Sequence, residues 1–275
     1  MEPKIRPLLP QDRSSLEELD RATLEKALPE EWEAWADEPH RVLVCELEGK
    51  VFGAVHVAMV GPTEGWVEGV RVLPEFRGRG YGRRLVEEGV RVCASYGALV
   101  VHAMVPADRE GLGFAEHLGF REAARFDVWR AQLDPAERPT GVAPVRPREV
   151  GQVAYWLRPE IGQRSAGLVP LGWRFRTLRD EILGGAAREE RLWASVDPRG
   201  AVLFLRARAD RVIDLLVGSD PGPLVAAVRA DMRVPALAGA FVPSGSVESR
   251  WLASQGFHGH PWCPQGLVVL SRPVR

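Results

Sequence analysis

The spacing of apolar positions changes several times along this chain, and each change marks an element. After a short extended start at Ile5–Leu8, the residues Leu16, Leu19 and Leu24 recur at helical spacing within Gln11–Leu28. Pro29 ends that pattern, and Glu30–Asp37 can form a second short helix. Arg41–Leu47 and Val51–Val60 read as strands, and the Glu48, Gly49, Lys50 junction between them predicts a hairpin. Trp66–Leu73 is a further strand. The next segment places Leu85, Val86, Val90 and Cys93 on one helical face, with Glu87, Glu88 and Arg91 mostly outside. Strands are expected at Ala98–Val105 and Phe126–Leu133, around a segment running from Ala115 to Phe120.

The second half repeats this order. Val145, Arg146 and Pro147 echo Ile5, Arg6 and Pro7, and the run from Leu252 to Phe257 ends in Gly-Phe as does the run from Ala115 to Phe120. Ala201–Arg208, Arg211–Val217, Leu224–Met232 and Ala236–Val242 supply strand, strand, helix and strand between. The Pro- and Gly-containing stretch Arg138–Pro144 reads as a linker. The expected domains are residues 1–137 and 145–275, joined by 138–144, and 275 residues suit two such domains.

Between the strand at Trp66 and the helix at Leu85 lies L-P-E-F-R-G-R-G-Y-G, from Leu73 to Gly82. Gly78, Gly80 and Gly82 let backbone N–H groups approach a ligand without an intervening Cβ. The loop opens a helix, whose N-terminus favours anions, and Arg77, Arg79, Arg83 and Arg84 add positive charge. This predicts a phosphate or pyrophosphate pocket. A Walker loop needs a closing Lys-Ser or Lys-Thr, and a dinucleotide fingerprint needs Gly-x-Gly-x-x-Gly; neither spacing is present. Val72, Pro74, Arg77, Gly78, Gly80 and Gly82 instead match V-x-P-x-x-R-G-x-G-x-G/A. They resemble motif A of the GNAT superfamily of acetyl-CoA-dependent N-acetyltransferases, and the run from Ala115 to Phe120 resembles its Y-E-K-L-G-F signature. The resemblance covers roughly residues 4–133.

That resemblance implies an α/β (α+β) fold of two tandem GNAT-like domains, each a mixed, mostly antiparallel twisted sheet flanked by helices. It implies acetyl-CoA as cofactor, with the pantetheine arm along Val70, Arg71 and Val72 and the pyrophosphate on the amides of Gly78, Arg79, Gly80, Tyr81, Gly82 and Arg83. Arg77, Asp108 and Phe114 complete the implied cofactor site, and the backbone N–H of Val70 would polarise the thioester carbonyl. Tyr81 is expected to pack or to face solvent. The second half lacks the loop: from Gly218 to Pro223 it reads G-S-D-P-G-P, where two prolines remove donors and Asp220 adds negative charge. It is expected not to bind acetyl-CoA.

Acetyl transfer to an amine also needs a base. Glu68 is the leading candidate, because strand alternation would put it on one face with Val70 and Val72 in an apolar cleft that raises its pKa. Glu64 and His102 are alternatives. The family's general-acid tyrosine falls at Ala115, and its asparagine at Asp108, so neither expected side chain is present. A thiol with a pKa near 8.5 still leaves as thiolate without a donated proton. Trp32 and Trp35 could form an aromatic wall for the acceptor, and Glu30, Glu31, Glu33, Asp37 and Glu38 an acidic rim that attracts amines.

Bulk composition adds limits. A net charge of −1 gives no case for nucleic acid or an anionic membrane as partner. Cys45, Cys93 and Cys263 are odd in number and far apart, which argues against disulfides and metal sites. No run reaches membrane length and no signal peptide opens the chain, so a cytoplasmic protein is expected, with a homodimer open. The sequence supports two readings: an N-acetyltransferase acting on a small amine, amino acid or peptide N-terminus, and an acetyl-CoA-binding sensor of little or no catalytic activity.

Overall fold

A computed structural model describes residues 2–23, 42–107, 109–195, 200–206 and 211–274. The chain forms two compact units: Met1–Met104 with Gly113–Arg121 and Leu270–Arg275, and Val105–Leu112 with Glu122–Val269. This differs from a sequential division. The strand over Arg121–Leu133 belongs almost wholly to the second unit, and the chain's last residues belong to the first. Local periodicity predicts a strand but not the sheet that pairs it, because strand pairing is a long-range choice.

In the first unit, β1 (Lys4–Pro7), β2 (Val42–Leu47), β3 (Lys50–Gly61), β4 (Glu64–Val72) and β5 (Val100–Pro106) lie side by side in that order. The β2–β3 hairpin turns at Glu48 and Gly49, both at positive φ (53° and 84°), the two-residue geometry that suits the strand twist. All pairs are antiparallel except β4–β5. Beyond β5 comes the end of β15 (Leu267–Pro273), and Val274 N–H donates to Leu99 O.

Among the described residues, α1 (Arg13–Thr23) and α2 (Tyr81–Ser95) pack on this sheet. Helix α1 buries Leu16 and Leu19, as their spacing predicts. Helix α2 buries Leu85, Val86, Gly89, Val90 and Cys93. Close approach is built in: a Cβ on Gly65 would meet Cys93 Cβ at 2.7 Å, and one on Gly89 would meet Val57 Cγ1 at 2.8 Å. Helix α3 (Arg109–His117) ends at Gly119, φ 81°.

The second unit repeats the plan. β6 (Arg121–Leu133), β13 (Ala236–Pro243), β12 (Arg211–Gly218), β11 (Gly200–Arg206), β10 (Leu192–Ser195) and β7 (Val142–Pro144) are adjacent in that order, and only β12–β13 is parallel. The end of the expected linker is therefore strand: β7 pairs Pro144 with Trp193 at the sheet edge, where a proline is tolerated. One face carries α4 (Val150–Ser165), α5 (Asp180–Arg188) and the hairpin of β8 (Leu168–Leu171) and β9 (Arg174–Thr177). Their core includes Leu157, Ile161, Leu183, Leu215 and Val217. The other face packs α6 (Gly222–Ala230) and α7 (Val247–Ser254) on Ile213, Leu216, Ala240 and Val242. The three cysteines are free and buried. Among the described residues no helix is long and apolar enough to cross a membrane.

Candidate active site

The site grows from the place where β4 and β5 part. They pair in parallel at Glu64↔Val100, Gly65↔Val101 and Trp66↔His102, while β4 runs on to Val72. On its other side β4 keeps to β3, but with a bulge: His56 opposes Glu68 and Ala54 opposes Arg71, so Gly69 and Val70 together face Val55. Gly69 takes φ 65°, the left-handed geometry a glycine bulge requires.

This bulge breaks the alternation expected for Glu68, Val70 and Val72. Val72 pairs with Gly53, where a Cβ would meet Leu85 of α2 at 3.1 Å, so Val72 belongs to the α2 face. Val70 Cγ1 lies 3.9 Å from the Cβ position of Gly82. Glu68 stays on the opposite face with Trp66 and His56. No residue pattern marks the bulge except Gly69 itself.

Beyond β4 the chain makes a short 3-10 turn at Pro74–Phe76, and Arg77 N–H donates to Pro74 O at 3.1 Å. Gly78 and Gly80 have φ of 71° and 79°, and a Cβ on either would meet nothing within 4 Å, so the loop surface there is bare backbone. Gly80 is the N-cap of α2 and has no side chain to cap the first turn, whose N–H groups are oriented for an anion. The first bond back onto the loop is Arg84 N–H to Gly80 O.

The arginines divide their tasks. Arg77 Nε–H donates to Val72 O and braces the loop against the end of β4. Arg79 lies over the Phe76 ring, and exposed Arg83 pairs with Glu87. Tyr81 packs, its ring edge-on to Phe52 at 4.9 Å. Phe114 is 44% exposed, and its ring is 3.5 Å from the Cβ position of Gly82, so it stands beside the start of α2. Arg71 is half-buried on the face of Glu68. Asp108 lies outside the described residues, as do Trp32, Trp35 and the acidic segment around them. Ala115 is buried at 7% exposure, with no polar group to offer.

Glu68 is less surrounded by apolar groups than alternation implies. Its Oε2 accepts the Trp66 indole N–H at 2.6 Å, and its Oε1 lies 2.9 Å from His56 Nδ1. Trp66 and His56 are both fully buried. The two other base candidates meet each other: His102 Nε2 is 3.4 Å from Glu64 Oε1, and His102 Nδ1 is 2.8 Å from Ser271 Oγ. His56 and Ser271 carry no signal in the sequence. One is an apolar-strand histidine 12 residues from Glu68, the other a serine 169 residues from His102. Glu68, its side chain 11% exposed, is the carboxylate of this set that an ammonium group could meet, and the glycine loop lies beyond the C-terminal end of the same strand.

Residues 9–120 match the acetyltransferase (GNAT) family. A stretch of 94 residues, 34% of this chain, is 33% identical to the PanD regulatory factor of Salmonella typhimurium and spans 72% of that protein. Among solved structures, a GCN5-related N-acetyltransferase from Sphaerobacter thermophilus superposes with a TM-score of 0.64 at 16% identity, covering 99% of this chain and 96% of that one. A tandem GNAT protein from the clavulanic acid biosynthesis pathway gives 0.57 at 17% identity, covering 99% and 98%. A likeness at such identities speaks for the fold, here over the whole chain rather than one half. With the family match in the first half and the fold repeated in the second, this chain belongs to the acetyltransferase (GNAT) family as a tandem-domain protein.

Proposed function

We propose that this protein is an acetyl-CoA-dependent N-acetyltransferase that acts on a primary amine of a small molecule, amino acid or peptide, by direct attack of the amine on the thioester. The observation that carries this reading is the junction of β4 and α2: a strand parted from its neighbour after Trp66↔His102, leading into a bare glycine loop and an uncapped helix N-terminus. That geometry fits an extended arm ending in a pyrophosphate. The amides from Gly78 to Arg83 would hold the phosphates, Val70, Arg71 and Val72 the arm, and Phe114 the border of the loop. When bound, acetyl-CoA supplies the activated acyl group. The N–H of Val70, at the bulge, would be the donor that polarises the thioester carbonyl. Glu68 attracts the acceptor ammonium and takes its proton, while His56 and Trp66 hold the carboxylate in place.

A second reading has its own support. Ala115 offers no proton for the thiolate, and a relative 33% identical is named a regulatory factor. An acetyl-CoA-binding regulatory protein would need the loop and no base. Calorimetry with acetyl-CoA, followed by thiol release across a panel of amines, separates the two. Turnover on any amine supports the transferase. Tight binding with no turnover supports the regulator, and no binding of acetyl-CoA or CoA overturns both.

A further inference from the structure

The second unit parts its strands as the first does. β12 and β13 pair at Arg211↔Ala238, Val212↔Gly239 and Ile213↔Ala240, and the register of β12 against β11 slips at the next residue, Asp214. Asp214 is fully buried. Its Oδ1 accepts the Gly172 N–H at 2.8 Å, from the tip of the β8–β9 hairpin, and its Oδ2 is buried without a hydrogen-bond partner. A buried carboxylate with one oxygen unsatisfied is costly and calls for a donor.

The hairpin tip brings aromatic rings to the same place. Trp173, next to Gly172, meets Phe241 at 5.0 Å, His260 at 4.9 Å and Trp262 at 5.6 Å, each ring close to edge-on. Phe241 follows Ala240 on β13 as Asp214 follows its partner Ile213 on β12. Phe241 is buried, while Trp173, His260 and Trp262 are half-buried. A Cβ on Gly172 would meet nothing within 4 Å, so the turn itself is not packed over.

We propose that the second unit binds a small organic ammonium ion at the hairpin tip, its N–H groups on Asp214 Oδ2 and its carbon skeleton against the rings of Trp173, Phe241 and Trp262. Such a ligand brings the donor that Asp214 Oδ2 lacks, and aromatic faces attract cations. A metal ion fits poorly, since among the described residues no three His, Cys, Asp or Glu stand together. With no glycine loop in this unit, the site binds and does no chemistry. It stands independently of the activity proposed for the first unit.

The charge balance gives the site a pH signature. Burial pushes the Asp214 carboxyl from its ordinary 3.8 up to about 7, with the Gly172 N–H and the charge of Arg191 pulling it down. A bound cation favours the ionised form, so binding below about pH 7 releases a proton, and affinity rises with pH until that point. The other charged groups near the tip are Arg174 and Arg176 on β9, both engaged in interactions of their own, and His260, held below its usual value by burial and Arg130.

The test titrates the full chain with methylammonium, ethanolamine, benzylammonium and putrescine chlorides against matched sodium chloride. Tryptophan fluorescence and calorimetry in two buffers of different ionisation heat read the outcome. At least one cation saturates at a single site, with proton release at pH 6 that fades by pH 8. Asp214→Asn weakens it at least about tenfold and Trp173→Ala several-fold, while Glu68→Gln leaves it unchanged. The proposal is overturned if no cation saturates, or if saturation survives Asp214→Asn with unchanged affinity, whatever Glu68→Gln does. Should Asp214→Asn not fold, Trp173→Ala and the proton release decide: an unchanged affinity or no release at pH 6 overturns it.

Discussion

The same strand-to-helix junction occurs twice in this chain and ends differently. In the first unit β4 leads into Gly78 and Gly80, at positive φ with open space beside them, and α2 begins without a capping side chain. In the second unit β12 ends at Gly218, whose N–H already donates to Glu248 at 2.8 Å, and the N–H of Gly222 donates to Asp220 at 3.2 Å. Pro221 and Pro223 have no N–H to give. In the first junction no side chain caps the start of α2. The second uses its own carboxylates, and Glu248 Oε1, which accepts the Gly218 N–H, also accepts from Arg164 at 2.7 Å. One fold can thus leave the first amides of a helix uncapped or satisfy them with its own carboxylates, without changing strand order.

The largest effect expected from breaking this comparison is at Glu68. Glu68→Gln should lower turnover by about 100-fold or more while acetyl-CoA affinity stays constant, since only the base is lost. Steady-state kinetics beside calorimetry checks this; unchanged turnover would remove Glu68 from the mechanism. Gly80→Asp should cost about 100-fold in acetyl-CoA affinity, because it adds a side chain at φ 79° and a negative charge at the mouth of the loop. The reverse change in the second unit, Asp220→Gly, should create no affinity, since Glu248 and the two prolines remain.

Glu248→Ala sharpens the comparison from the other side. It leaves the Gly218 N–H and the Arg164 guanidinium without their buried carboxylate and should destabilise the fold by about 2 kcal/mol, with acetyl-CoA affinity unaffected. Urea unfolding reads this directly. Asp214 sets a pH dependence. Its folded pKa, about 7, stands above its ordinary 3.8, so the native state binds the proton more tightly and stability falls as pH rises from about 4 to about 7, then levels. Asp214→Asn should flatten that slope; a slope that persists assigns it to other groups. The smallest effect is expected from Arg83→Ala, a few-fold in acetyl-CoA affinity, because Arg83 is exposed and already paired with Glu87.

Much of this was legible in the chain. The conformation of the glycine loop could be read because glycine spacing records backbone geometry directly: Gly78 and Gly80 take positive φ. The repeat could be read because both halves keep the same order of elements, from Val145–Pro147 to Leu252–Phe257. The setting of Glu68 could not. Alternation assumes an unbroken strand, and the bulge at Gly69–Val70 shifts every later residue of β4 to the other face. The sequence presents Asp220 only as a negative charge; the structure adds that it takes up a backbone donor itself, the Gly222 N–H.

What the sequence determined by itself is what depends on neighbours along the chain: helix faces, hairpin turns, the loop, and the missing tyrosine at Ala115. Only the tertiary structure decided which distant groups meet. It set His56 on Glu68, Ser271 of the last strand on His102, and Glu248 on Gly218, contacts spanning 12, 169 and 30 residues. It also placed the strand after Phe120 in the second unit and the chain's end in the first. The physical reason is one and the same. Period and propensity are local, while pairing and the satisfaction of buried polar groups are settled only when the whole core is packed.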